Sequence, residues 1–80
     1  MLQAYILIQA ETARVEELVE ELANLQLDAT VIKDIRIVTG QYDLIALVEA
    51  PDLKALSHCI IQGISNAVGI RHTETCLIIP

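Results

Sequence analysis

The residues richest in chemistry form one short run, Val38-Thr39-Gly40-Gln41-Tyr42-Asp43. A glycine-containing turn can aim successive backbone N–H groups at one point, and such nests hold anions. Asp43 sets a carboxylate acceptor beside those donors. A donor cluster and an acceptor side by side match the carboxylate and ammonium of a free α-amino acid. The ordinary reading of the run is a hairpin turn with Gly40 at positive φ, and it stays open beside the functional one. Thr73-Glu74-Thr75 offers two hydroxyls on one strand face, two residues apart. Its ordinary reading is a β-favouring strand edge.

Other candidate chemistry is thin. A nucleophile needs a base within hydrogen-bond reach. His58 and Cys59 are adjacent on a predicted helix, so their side chains point about 100° apart. Cys59 reads as a small core residue, His58 as a surface or rim residue, and Cys76 as another packed thiol. No two of His58, Cys59, His72 and Cys76 share metal-ligand spacing, and two cysteines without CxxC argue against a disulfide scaffold or a zinc site. There is no GxGxxG and no P-loop. Glu16, Glu17, Glu20 and Glu21 pair carboxylates, but on a polar helix face that lacks a pocket to shift their pKa values. No catalytic residue, metal or cofactor is expected.

Six elements must position these residues. Leu2 to Ala10 alternates with period two, with Leu2, Ala4, Ile6, Ile8 and Ala10 as a fully apolar face. Thr12 is the expected cap of a helix whose stripe is Val15, Leu18, Val19, Leu22 and Leu25. Ala29 to Val38 reads as a strand, with an exposed stretch or bulge at Lys33-Asp34. The turn at Thr39 to Tyr42 folds it back onto a third strand, Asp43 to Ala50. Asp52 is the expected cap of a second helix with stripe Leu53, Leu56, Ile60, Ile64 and Ala67. Gly69 stands where a helix C-terminal glycine is expected, and Ile70 to Ile79 is the last strand. A weak repeat at an offset of 40 sets Leu7-Ile8-Gln9-Ala10 over Leu47-Val48-Glu49-Ala50.

The order βαββαβ implies an α+β, ferredoxin-like sandwich in which both helices cover one sheet face. Simple alternation puts Tyr5, Leu7, Ile45, Leu47, Leu77 and Ile79 on the other face, which has no helix of its own. Composition makes that face matter. Ile, Leu and Val supply 29 of the 80 residues, and Phe and Trp are absent. An 80-residue fold hides only about 60–65% of its unfolded surface. So many aliphatic side chains exceed one small core, and large wet apolar patches are rare. The chain is expected to bury a second surface against copies of itself.

Charge excludes several functions. Five basic residues against eleven acidic ones give a net charge of -6 and no basic stripe, so no direct nucleic-acid contact is expected. The longest apolar runs are five residues, far short of the roughly 20 needed to span a bilayer. The N-terminus lacks the basic region of a signal peptide, which leaves the cytoplasm as the default compartment.

Together, Ala4-Tyr5-Ile6-Leu7-Ile8, Val38-Thr39-Gly40-Gln41-Tyr42-Asp43 and Thr73-Glu74-Thr75 resemble the C-terminal effector (RAM) domain of the Lrp/AsnC, or feast/famine, transcription regulators. The resemblance covers nearly the whole chain, and residues 1–80 read as a single RAM-like domain. The family's helix-turn-helix is missing, so the chain resembles stand-alone RAM proteins and DNA binding is not carried over. The resemblance implies dimers paired through their sheets as a dimeric α+β barrel, then rings, often octamers. It implies a free amino acid effector at the junction between dimers. Gly40, Gln41, Tyr42 and Asp43 would line that site, and Thr73, Glu74 and Thr75 match the family's Thr-containing segment. Relatives often carry Pro-Gly-Val where each helix leads into a strand. Here those positions read Leu27-Asp28-Ala29 and Val68-Gly69-Ile70, so the first turn is expected to differ in shape.

Three functions follow from these readings. The first is a non-enzymatic amino-acid sensor whose ligand biases assembly. The second is a ligand-free interaction module that co-assembles with full-length Lrp/AsnC-type regulators. The third is a small dimeric-barrel isomerase or monooxygenase. It fares worst, because the free sheet face shows no histidine.

Overall fold

The computed structural model describes residues 1–80. Its centre is strand β1 (Leu2–Ala10), hydrogen-bonded along both edges. On one edge lies β4 (Leu44–Ala50), in register from Leu2↔Ala50 to Ile8↔Leu44. On the other lies β5 (Ile70–Leu77), from Ala4↔Leu77 to Ala10↔Ile70. Outside β4 come β3 (Thr30–Ile37) and the two-residue β2 (Gln26–Leu27). The sheet order is β2-β3-β4-β1-β5, antiparallel throughout. The fold is the expected α+β sandwich, with one strand more than the sequence suggests.

Alternation decides the two faces. Ala4, Ile6, Ile8, Leu44, Ala46 and Val48 are fully buried under the helices. Helix α1 (Val15–Ala23) adds Leu18 and Leu22, and Val15, Val19 and Leu25 pack against the same core. Leu56 and Ile64 complete it from the second helical segment. Each fully buried Ile, Leu or Val among these is worth about 1.5–3 kcal/mol. Glu16, Glu17, Glu20 and Glu21 stay exposed.

Several local expectations are corrected. Thr12 makes no side-chain cap; it starts a 3-10 turn, Thr12–Arg14, that leads into α1. Asp52 does cap the second helix, its Oδ1 accepting from Ala55 N–H at 2.8 Å. That helix is α-helical only over Leu53–His58 (α2) and continues as a π-helical segment, Cys59–Ile64. Leu53, the first residue of α2, is 55% exposed and outside the core, while Ile60 and Ala67 pack on it. Gly69 lies in the loop before β5, not at the helix end. Its φ is +97, and a Cβ there would meet the Arg14 side chain at 2.9 Å. Arg14 fills that space, donating from Nε to Val68 O and pairing with Glu17 and Glu21. The Lys33 bulge is present as a register shift between Ile32 and Asp34.

The face opposite the helices carries Tyr5, Leu7, Ile45 and Leu47 as expected. Leu77 does not belong to it. It pairs with Ala4 and so shares the helix side, while Ile79 lies past the strand end. Cys76, opposite Tyr5, takes the open face and is exposed rather than packed. No helix is long and apolar enough to cross a membrane.

The first departure from the family pattern has a visible shape. Asp28 and Ala29 join β2 to β3 in a tight turn, both at positive φ (53 and 62). An L-residue there costs about 1–2 kcal/mol, which glycine avoids at a smaller entropic cost. Ala29→Gly should therefore stabilise the fold by about 0.5–1 kcal/mol, seen as a rise of a few degrees in thermal unfolding followed by circular dichroism. Next to it, Thr30 is fully buried with its hydroxyl unpartnered. Thr30→Val removes that uncompensated group at nearly constant volume and should add about 1 kcal/mol in the same assay.

Candidate functional site

The loop between β3 and β4 is held at both of its ends. Val38 N–H donates to Asp43 O at 2.9 Å and closes the hairpin. Gly40 adopts φ +118 with open space where a Cβ would stand, so the backbone needs glycine, not the packing. Gly40, Gln41 and Tyr42 donate none of their N–H groups to the protein. Three adjacent donors are therefore available at the surface, as an anion-binding nest requires.

Three bonds then tie this loop to the strands beside it. Asp43 N–H donates to Ile8 O at 2.8 Å, and the Asp43 Oδ2 accepts from Ala10 N–H at 2.8 Å. That second bond satisfies an N–H at the irregularity where β1 pairing with β5 shifts between Gln9 and Ala10. A bond to a carboxylate is stronger than a neutral one, so it orients the side chain and leaves Oδ1 free. Gln9 Nε2 donates to Gln41 O at 2.8 Å. Tyr42 reaches over β1, its hydroxyl donating to Glu74 Oε1 of β5 at 2.7 Å. The accepting carboxylate, with desolvation and its charge behind it, pushes the Tyr42 phenol above its usual 10.0.

The structure thus gathers Gly40, Gln41, Tyr42, Asp43 and Glu74. Thr73 and Thr75 pair with Ile8 and Ile6, so their side chains take the helix side of β5, away from Glu74. Within one chain these two threonines do not face the loop. His58, Cys59, His72 and Cys76 do not converge, and no group of three such residues can hold a metal. Cys59 is buried, which with the nearby Asp28 charge raises its thiol pKa.

The larger surface groove, about 490 Å³, lies elsewhere. Asp28, Asp52, Lys54 and His58 line it at the opposite end of β4, and His58 Nδ1 contacts the Asp28 carboxylate. The loop site forms no comparable cavity within the single chain. Sequence reasoning missed Gln9, Ala10 and the Asp28–His58 pair. Their partners lie 30 to 33 residues away, and no local pattern signals them.

Comparison with known proteins decides the family. The model of the Lrp/AsnC ligand binding domain matches residues 3–79. The chain belongs to the Lrp/AsnC ligand-binding domain family. It is 40% identical over 76 residues to an uncharacterised helix-turn-helix-type transcriptional regulator of Pyrococcus abyssi, covering 94% of this chain and 45% of that protein. It therefore spans about half the length of the curated relatives it matches. A solved Thermus thermophilus protein superposes with a TM-score of 0.89 at 36% identity, covering 100% of this chain and 95% of that one. A Neisseria meningitidis transcriptional regulator, solved in complex with L-methionine, shares the fold at a TM-score of 0.82 and 18% identity. That match covers 99% of this chain and 50% of the other.

An Lrp/AsnC domain is a ligand-binding regulatory module, and its relatives are transcription regulators, not enzymes. The isomerase or monooxygenase reading is set aside on that ground.

The Tyr42–Glu74 bond yields a direct test. The folded-state phenol is raised, so its bond contributes below the unfolded value and is lost as pH climbs through the folded one. Ultraviolet titration should show a tyrosinate step above pH 10.0 that disappears in Tyr42→Phe. An unchanged late step in the variant would assign it to another group.

Proposed function

We propose that this domain binds a free amino acid at the Gly40–Asp43 loop, where copies of the chain meet, and that binding biases their assembly. The observation that carries the reading is the pairing of three free N–H donors with a fixed carboxylate. The nest of Gly40, Gln41 and Tyr42 takes the ligand carboxylate, and Asp43 Oδ1 takes its ammonium. Thr73 and Thr75 face away within a chain, so their hydroxyls enter from a neighbouring copy. The L-methionine complex of the Neisseria relative supports the ligand class.

Assembly follows from the open sheet face. Tyr5 is 43% exposed there, beside half-buried Leu7, Ile45 and Leu47. A second copy laid sheet to sheet buries these side chains, and dimers then build a ring such as an octamer. A ligand bridging two dimers contacts both, so it stabilises the ring by its differential affinity. Full-length Lrp/AsnC-type regulators present the same domain and are candidate co-assembly partners.

Calorimetric titration with the twenty amino acids, run beside solution mass measurements, tests both halves. At least one amino acid should bind and shift the mass distribution. Asp43→Asn keeps an acceptor for Ala10 N–H but loses the charge, and should weaken binding about tenfold or more. Silence from every amino acid would remove the ligand. Equal affinity in the variant would remove Asp43's role.

A further inference from the structure

Asp43 and Glu74 are two carboxylates at one site, and neither has a counter-ion. The ion pairs of the chain are Arg14 with Glu17 and Glu21, Arg36 with Asp34, and His58 with Asp28. The site's own hydrogen bonds come from neutral donors: Ala10 N–H to Asp43 and the Tyr42 hydroxyl to Glu74. Each bond occupies one oxygen and orients the other. The groups on this face able to carry positive charge are Arg36, opposite Ile45 on β3 and already paired with Asp34, and His72, opposite Gln9. The Tyr42 phenol is raised first by its hydrogen bond to Glu74, then by desolvation and by the Glu74 charge.

We infer that the effector is a basic amino acid, lysine or arginine in class, and that Glu74 selects it by receiving the side-chain cation. The inference rests on the amino-acid reading above. In it the ligand's carboxylate and ammonium are already used by the nest and Asp43, so Glu74 is left facing the side chain. An acidic side chain is repelled there, and a purely aliphatic one leaves Glu74 without a partner. The span is suitable. Asp43 flanks one edge of β1 and Glu74 belongs to the strand on its other edge. Two strand spacings across, with a two-residue offset along the strands, separate them by about 12 Å. A lysine side chain extends about 6 Å from its α-carbon, and a charge-assisted bond adds about 2.8 Å at each end.

Calorimetry with lysine, arginine, norleucine and glutamate separates the possibilities, because norleucine keeps lysine's chain without its charge. Wild type should bind lysine or arginine at least about tenfold more tightly than norleucine, with glutamate weakest, and the gap should narrow with salt. Glu74→Gln still offers an acceptor to Tyr42, and unchanged thermal unfolding checks its fold. It should bring lysine and norleucine within about threefold of each other. Norleucine binding as tightly as lysine in wild type would overturn the inference and leave the amino-acid reading intact. Unchanged selectivity in Glu74→Gln would overturn Glu74's part. Binding of no amino acid at all would overturn the earlier reading, and this one with it.

Discussion

The structure depends on the double pairing of β1. A strand bonded on both edges cannot slip by one residue without turning every side chain to the opposite face. Its even positions Ala4, Ile6, Ile8 and Ala10 are buried against the helices. Its odd positions Tyr5, Leu7 and Gln9 must then face away. Register transmits that parity to the neighbours. Ile45 and Leu47 follow Leu7 and Tyr5 on one side, while Glu74 and Cys76 follow them on the other. One alternating strand thus settles the core, the open face and the direction of the site's acid.

The same strand anchors the loop. A glycine turn alone is a mobile surface feature, because few backbone conformations are excluded. Here the loop's far end is bonded to the end of β1 by Asp43 N–H and by the Asp43 carboxylate. Gln9 and Glu74 hold its middle from the open face. The donors of Gly40 to Tyr42 stay unspent while the chain around them is fixed. That preorganisation reduces the ordering cost a ligand must overcome.

Legibility in the sequence tracked how local each signal was. The alternation of β1, the stripe of α1, the Lys33 bulge and the Asp52 cap were readable because each acts within a few residues. The α-to-π change at Cys59 was not, since a slightly wider turn over six residues leaves the apolar spacing nearly unchanged. The face of Leu77 was not readable either. Along β5 the set Thr73, Thr75, Leu77 and the set His72, Glu74, Cys76 are both mixed, so hydropathy cannot say which one turns inward. Only the pairing Ala4↔Leu77 decides it. The loop's identity was legible, but its anchors on Gln9 and Ala10 were not, because nothing local encodes contacts across some 33 residues.

The open face and the loop site are linked by Tyr42. Its hydroxyl reaches Glu74, which pairs with Leu7 of the open face, while its backbone adjoins Asp43. A second copy laid on the sheet would change the solvation of that ring, and a ligand cation would change the charge it faces at Glu74. Each event alters the free energy of the same hydrogen bond. Coupling between two sites requires a shared element whose energy both of them shift. If ligand and second copy bind as proposed, Tyr42–Glu74 is the element that both would shift, with no large movement of the backbone required. On that reading, a rigid aliphatic sheet would host a regulatory site at its rim through one side-chain hydrogen bond.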